Sequence, residues 1–315
     1  MNQNTASQIS VIMPCHNAAT YIAEAIGSVR NQTFRNWELI VVDDGSSDDS
    51  PEIVTRLAQE DGRIRLLRQE NQGPYPARNL GLRHAQGEYV AFLDADDWWD
   101  PTFLEKMHRA VGETGADLAY CGWQNVVEDG ENRPPYVPPD YLQEDLFARL
   151  LKSCPWPIHA ALTHRKALEA VGGFSTRCFS SMDYDLWLRS AAHTRKWVRV
   201  PEVLAYYRWH DKGQISAVKW RQVLEAWRVR RDFVARHPDL VAHLSRPQVR
   251  QLIDDPIREQ AYQALWRRDL KSAQKLFRTT LRHHVWQWRD LKYLLPSLLP
   301  APLFENLIHR RDSAA

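Results

Sequence analysis

A chain of 315 residues, 44% of them hydrophobic, can bury a sizeable core as one large domain or two. The amino terminus carries no basic-apolar signal pattern and no uninterrupted apolar run of about 18 residues exists, which excludes a spanning helix and makes the cytoplasm the expected compartment. The net charge of +2 is divided: from Ser216 to Ala315 there are 19 Lys plus Arg against 10 Asp plus Glu, a balance of +9 that leaves −7 for residues 1–215. An acidic front half excludes nucleic acid as its partner, whereas a basic tail suits an anionic membrane surface.

In chain order, Ile9 to Met13 reads as a short strand stopped by Pro14, and His16-Asn17 lead into a helix with Tyr21, Ile22, Ala25, Ile26 and Val29 at helical spacing. Trp37 to Val42 is a second buried strand. It ends in Asp43-Asp44-Gly45-Ser46-Ser47-Asp48-Asp49, after which Pro51 opens a helix at a permitted first-turn position. Ile64 to Leu67 makes a third strand and Pro76 to Ala85 a third helix. Tyr89 to Leu93 then forms a continuous apolar strand that runs into Asp94-Ala95-Asp96-Asp97, with Asp100-Pro101 starting the next helix. This alternation predicts a mostly parallel sheet flanked by helices. Ligands bind such sheets outside the carboxyl ends of the strands, so Pro14 to Asn17, Asp43 to Asp49 and Asp94 to Asp97 are expected on one edge.

Three carboxylates within four residues repel unless a cation or several donors sit among them, and a hard divalent metal is the evident candidate. Asp97 and Asp100 have a second reading as turn or cap residues. A calcium loop counted from Asp94 fails, because Trp99 stands where the sharp turn requires glycine. Asp44-Gly45 reads as a turn and Asp43 as a ligand contact, since a carboxylate at a strand tip accepts the N–H of a base or a ribose hydroxyl. After the loop Asn71-Gln72-Gly73-Pro74, Arg78 enters a helix whose first turn can face a phosphate; a surface ion pair is its other reading. The lack of a Gly-x-Gly-x-x-Gly after a strand and of a phosphate loop excludes the common dinucleotide and P-loop folds.

Further on, Asp117 to Trp123 reads as a strand and the proline-rich, charged stretch Glu128 to Asp140 as a flexible surface loop. Trp156 to Leu162 returns to the core, and Arg165 to Ala170 is a helix ended by Gly172-Gly173. In Met182 to Arg189, Asp183 fits a helix N-cap, with Leu186, Trp187 and Ser190 facing inward. The four cysteines, Cys15, Cys121, Cys154 and Cys178, contain no Cys-x-x-Cys pair and are expected as buried reduced thiols. From Ala217 onward the pattern is helical, with a paired hairpin over Ala261 to Leu281. Trp286, Trp288, Tyr293 to Leu295 and Leu298-Leu299, set among Arg, Lys and His, suit either a membrane interface or a packed helical cap.

Five runs taken together resemble the family 2 glycosyltransferases: Ser10 to Asn17, Val42 to Asp48, Gly73 with Ala77-Arg78-Asn79-x-Gly81, Asp94 to Asp97, and Gly172-Gly173-Phe174 with Asp183 to Arg189. The resemblance covers residues 8–216. It implies the GT-A fold, a Rossmann-like α/β architecture over residues 1–216, with 217–315 as a basic helical extension. It implies an inverting enzyme that moves a sugar from a nucleoside-diphosphate donor, with UDP the expected nucleotide, to a hydroxyl of a growing or lipid-linked surface glycan. Under it Pro14 and Asn17 line the nucleotide pocket, Asp43 contacts the base, and Arg78 contacts the ribose or diphosphate. Asp94 and Asp96 form the Asp-x-Asp element, with Asp96 or Asp97 on Mn²⁺ or Mg²⁺ and His210 completing the shell. Asp183 becomes the general base. No nucleic-acid partner is expected, and the carboxy-terminal region is the expected place for peripheral membrane contact. Two other readings share these acids at strand ends: a non-catalytic nucleotide- or glycan-binding protein, and a metal-dependent nucleotidyltransferase.

Overall fold

The computed structural model describes residues 8–128, 130–177, 180–210 and 219–312, the side chains of 219 and 310–312 excepted. Two compact units are present: residues 1–146 with 154–212, and residues 147–153 with 213–315. The expected division at 216 and the thiol of Cys178 lie outside the described residues.

The first unit is built on an eight-stranded sheet. Strands β1 (Ile9–Cys15) and β2 (Trp37–Asp44) are buried at every position, as apolar strands covered on both faces must be. With β3 (Ile64–Gln69) and β4 (Tyr89–Phe92) they make a parallel set in the order β3-β2-β1-β4. Beyond it come β7 (Ala161–His164), β6 (Leu118–Val127), β8 (Trp197–Trp209) and β5 (Trp98–Trp99). Strand β7 runs antiparallel to both its neighbours and β5 antiparallel to β8, while β6 and β8 are parallel. The sheet is therefore parallel where the nucleotide edge was expected and mixed on the far side.

The helices between the parallel strands are α1 (Ile22–Arg30), α2 (Ser50–Glu60) and α3 (Pro74–His84), the last two with proline in the first turn where its missing N–H costs nothing. Helix α3 lies on β1 so closely that a Cβ at Gly81 would stand 2.4 Å from Ile12 Cγ2. That contact fixes the height at which α3 presents Arg78. Helix α4 (Phe103–Thr114) stops at Gly115 in the left-handed region, and α6 (Arg165–Ala170) and α7 (Met182–His193) complete the unit.

Three local expectations need correction. The N-cap of α7 is Ser181, at φ 60°, and Asp183 sits inside the first turn. The stretch from Glu128 to Asp140 is pinned, not free: Tyr136 exchanges both backbone hydrogen bonds with Trp123, and Tyr120 Oη donates to the Pro139 carbonyl. Cys15 and Cys121 are buried as expected, but Cys154 is exposed.

The second unit comprises α5 (Leu146–Lys152) from Phe147 onward, α8 (Lys219–Arg236), α9 (Arg246–Trp266), α10 (Leu270–Arg282), α11 (Leu291–Ser297) and α12 (Ala301–Asp312). Helices α9 and α10 form the hairpin read from the sequence, closed over Ile257, Ala261, Ala273 and Phe277. A Ser245–Gln248 capping box opens α9. No described helix is long and apolar enough to cross a membrane.

Candidate functional site

The carboxyl ends of β1, β2 and β4 gather the expected residues on one edge. Pro14 is buried at the tip of β1, paired across to Val42. Asn17 follows at φ 51°, a left-handed geometry that asparagine tolerates, and its Oδ1 accepts from the Ser47 N–H at 2.8 Å. The loops after β1 and β2 are thereby tied together. Asp44 accepts from the Gln72 and Gly73 N–H groups at 2.9 and 2.7 Å and from Gln69 Nε2, so it fastens the loop that starts α3. Its neighbour Asp43 accepts from the Ser46 N–H at 3.1 Å and stays at the strand tip.

Arg78 is buried, and its guanidinium pairs with Asp94 Oδ1 while lying 5.5 Å from the ring centres of Tyr75 and Phe174. Its Nε is buried without a hydrogen-bond partner. A buried donor left unpaired is costly, which is the condition of a group waiting for a ligand oxygen.

The three acids after β4 have different environments. Asp94 belongs to Arg78. Asp96 faces His210, with Oδ2 and Nε2 3.1 Å apart, and burial followed by the charge of Asp94 pushes its carboxyl above the usual range against the pull of His210. Asp97 is closed off from any ligand: its Oδ1 accepts from the Arg208 N–H at 2.8 Å and its Oδ2 lies 3.1 Å from His159 Nδ1, both side chains fully buried. It is a girder, not an open metal ligand, because β8 and the segment carrying His159 pack over it. Burial pushes the Asp97 carboxyl above its ordinary range, against the pull of His159. For His159, burial alone would lower the pKa, but the Asp97 charge overrides it and holds the imidazole above its ordinary value. We expect Asp97→Ala to cost about 3 kcal/mol or more in urea unfolding by stranding His159, whereas joint replacement of Asp97 and His159 by leucine should cost much less.

Sequence reasoning overlooked Arg208 and Tyr21. The Arg208 side chain lies over the rings of Trp98 and Tyr21, 4.5 and 4.9 Å away, donates to the Asp96 carbonyl at 2.9 Å and pairs with Glu24. Tyr21 stacks on His210 at 4.9 Å. Together they hold the end of β8 against the acid turn.

Asp183, half-buried in the first turn of α7, accepts from the Tyr184 N–H. Burial pushes its carboxyl up from the ordinary range; that hydrogen bond and the Arg78 charge pull it down, and the Asp94 charge adds to the push. Asp183 thus lies within electrostatic reach of the Arg78–Asp94 pair. Helix α3 holds α7 there: Tyr75 Oη accepts from the Met182 N–H, and Asn79 exchanges two hydrogen bonds with the Phe174 backbone, at 2.8 and 2.9 Å. Gly173 is required at that joint, since a Cβ would meet Asn79 Oδ1 at 2.7 Å with φ at +66°. The next acid, Asp185, is taken by Arg177 and Arg189 and serves the fold.

The model of glycosyl transferase family 2 matches residues 10–172, which span all three strand tips. The chain belongs to this family. It is similar to TuaG of Bacillus subtilis (strain 168), a glycosyltransferase named for teichuronic acid biosynthesis, at 31% identity over 73% of this chain and 89% of TuaG. It also matches the glycosyltransferase EpsH of Bacillus subtilis (strain 168) at 42% identity, over 38% of this chain and about a third (35%) of EpsH. Among solved structures, S. aureus TarS residues 1–349 in complex with UDP-GlcNAc aligns with a TM-score of 0.62 at 17% identity, over 98% of this chain and 92% of that one. The mannosyltransferase PcManGT from Pyrobaculum calidifontis, in complex with GDP-Man and Mn²⁺, aligns with a TM-score of 0.58 at 20% identity, over 96% and 88%. At these identities the structural matches establish the GT-A fold. The relatives it matches are named as glycosyltransferases, and the chain spans about a third of EpsH and most of TuaG.

The family's divalent metal can be tested against the residues present. No group of three or more His, Cys, Asp or Glu poised for a metal occurs among the described residues. What exists is a pair, Asp96 and His210, with Asp94 beside it. Mg²⁺ is commonly held by one or two carboxylates plus substrate phosphates and water, so a two-donor set fits an ion that arrives with a diphosphate.

Proposed function

We propose that the protein is an inverting glycosyltransferase working in the cytoplasm, which transfers a sugar from a UDP-sugar to a hydroxyl of a growing or lipid-linked surface glycan. The observation that carries this reading is the placement of one carboxylate, Asp183, within electrostatic reach of the Arg78–Asp94 pair yet on a separate helix. A binding module has no use for a carboxylate with a raised pKa at that place. The solved relatives that hold UDP-GlcNAc or GDP-Man support a nucleoside-diphosphate donor, and the name of TuaG supports a cell-surface glycan as acceptor.

In this mechanism Pro14 and Asn17 line the nucleotide pocket and Asp43 accepts a hydrogen bond from the base or ribose. Arg78 is charged at any working pH and donates its unpaired Nε–H to the donor. Asp96 and His210 would hold Mn²⁺ or Mg²⁺, which when bound neutralises charge on the departing diphosphate. Asp97 holds Arg208 and His159 in place behind them. Asp183 takes the proton from the acceptor hydroxyl as the oxygen attacks the anomeric carbon. The new C–O bond forms on the face opposite the breaking one, so configuration inverts in a single displacement without a covalent intermediate.

The test is a screen of UDP-, GDP- and dTDP-sugars with Mn²⁺, read as nucleoside diphosphate released, with the product anomer assigned by proton NMR. Release from a UDP-sugar with inverted product is the expected result. Retained configuration, or turnover only of a nucleoside triphosphate, would sink the proposal.

A further inference from the structure

The second unit carries large apolar side chains in water. Trp288 is 82% exposed, Trp266 70%, Leu295 59%, Leu298 58% and Leu303 54%. Isolated exposed leucines are ordinary, but four leucines within nine residues, Leu295, Leu298, Leu299 and Leu303, are not. Their outward direction is built in. Arg278 donates to the carbonyls of Ser297 and Leu299, and Gln274 Nε2 donates to the same two oxygens. Helix α11 turns Leu294 and Ser297 inward, so the pinned turn after it leaves Leu298 and Leu299 outside. Helix α11 also carries an aromatic group: the Tyr293 ring lies 5.6 Å from that of Tyr262, which lies 5.7 Å from Trp266, and the Lys292 ammonium stands 4.9 Å over Tyr293.

Charge decides what covers this surface. Between Trp266 and Leu303 there are eight Lys and Arg against two Asp. Both acids are consumed internally. Asp269 accepts from the Ser272 N–H at the start of α10, and the buried Asp290 accepts from Tyr262 Oη and the Gln287 N–H. Arg267, Arg268, Lys271, Arg289 and Lys292 are exposed on the same segments as the apolar side chains. Tryptophan and leucine with a basic rim is the composition of a surface that enters the headgroup region of an anionic bilayer, and no described helix is fit to go further.

We propose that this face of the second unit docks on the anionic phospholipid surface of a membrane, with Trp288 and the turn Leu295 to Leu303 inserted among the headgroups. The inference stands on the second unit alone and needs no donor, acceptor or turnover.

The test is flotation of the full-length protein with vesicles of phosphatidylcholine alone and with about one-third phosphatidylglycerol. Binding to the anionic vesicles, weakened by high salt, is the expected result. The double substitution Leu298→Ser with Leu303→Ser should raise the lipid concentration for half-binding about tenfold or more, with the circular dichroism melting curve unchanged. Brominated acyl chains should quench the tryptophan fluorescence of the unaltered protein, a reading that does not depend on any variant folding. Three results overturn the proposal: no flotation with phosphatidylglycerol, flotation indifferent to the double substitution, or a lipid-free self-association that the double substitution dissolves, which would make a second copy of the chain the occupant.

Discussion

Asp183→Asn should lower the rate of transfer by about 10³-fold, inside the range that a positioned general base contributes, while UDP affinity by calorimetry changes by less than about twofold. The substitution keeps an acceptor oxygen for the Tyr184 N–H, so the first turn of α7 is retained and only the proton-accepting charge is lost. Stability should move the other way. The folded-state pKa of Asp183 is raised above its ordinary value, chiefly by burial, so between those two values the folded chain binds more protons than the unfolded one. Stability from this group is then present at low pH and lost as pH rises through the folded pKa. At pH 7 the charge is a burden that asparagine removes, so the variant should melt higher than the parent, and the difference should shrink as pH falls toward the ordinary aspartate value. The acid limb of the rate profile of the parent should fall at a pH above that ordinary value. A variant that melts higher yet transfers at the parental rate would remove Asp183 from the chemistry.

The acid-lined edge could be read from the chain because its strands are short, apolar and end abruptly in acid, and local pattern suffices for that. Pro14, Asp43 and Asp94 could be placed at strand tips by counting, and the parallel register of β1, β2 and β4 brings the tips level. What could not be read was which acid does what. Asp94, Asp96 and Asp97 look alike in sequence, and their roles are set by Arg78, His210 and His159, which lie 16, 114 and 62 residues away. His159 sits inside an apolar run and reads as core, as it is; that its imidazole meets Asp97 is a tertiary fact. Asp183 looked like a cap because aspartate before a helical pattern usually is one. Ser181 takes that position only because it adopts a left-handed conformation, which no periodicity reveals. The pinning of the loop at Tyr136 was equally invisible, since four prolines argue against regular pairing and a single bridge to Trp123 escapes that argument.

Asp96→Ala should be the other severe change. The Asp96 carboxylate and the His210 imidazole face each other across 3.1 Å, and the Asp96 carbonyl separately holds Arg208, so truncation removes the charge without releasing the backbone anchor. Loss of Lewis-acid stabilisation worth several kcal/mol corresponds to about a thousandfold or more in rate at saturating Mn²⁺. His210→Ala should cost less, about 10- to 100-fold, because it leaves both carboxylates of the Asp-x-Asp element in place. The measurement that separates this from a general loss of structure is UDP binding with and without metal. In the parent, Mn²⁺ should tighten UDP binding; in Asp96→Ala the metal-free affinity should persist and the tightening disappear, because Arg78 and Asp43 still hold the nucleotide while nothing couples the ion to it. The contrast with Asp97→Ala is the sharper half of the experiment. Asp97 carries the same charge one residue away, but its oxygens are committed to Arg208 and His159, so its loss should lower the urea midpoint far more than that of Asp96 does. Two adjacent aspartates would then fail in opposite ways, one in catalysis with the fold intact and the other in stability first. If instead Asp96→Ala leaves Mn²⁺-dependent UDP binding untouched, the ion is held by other groups and the pairing of Asp96 with His210 is a structural contact.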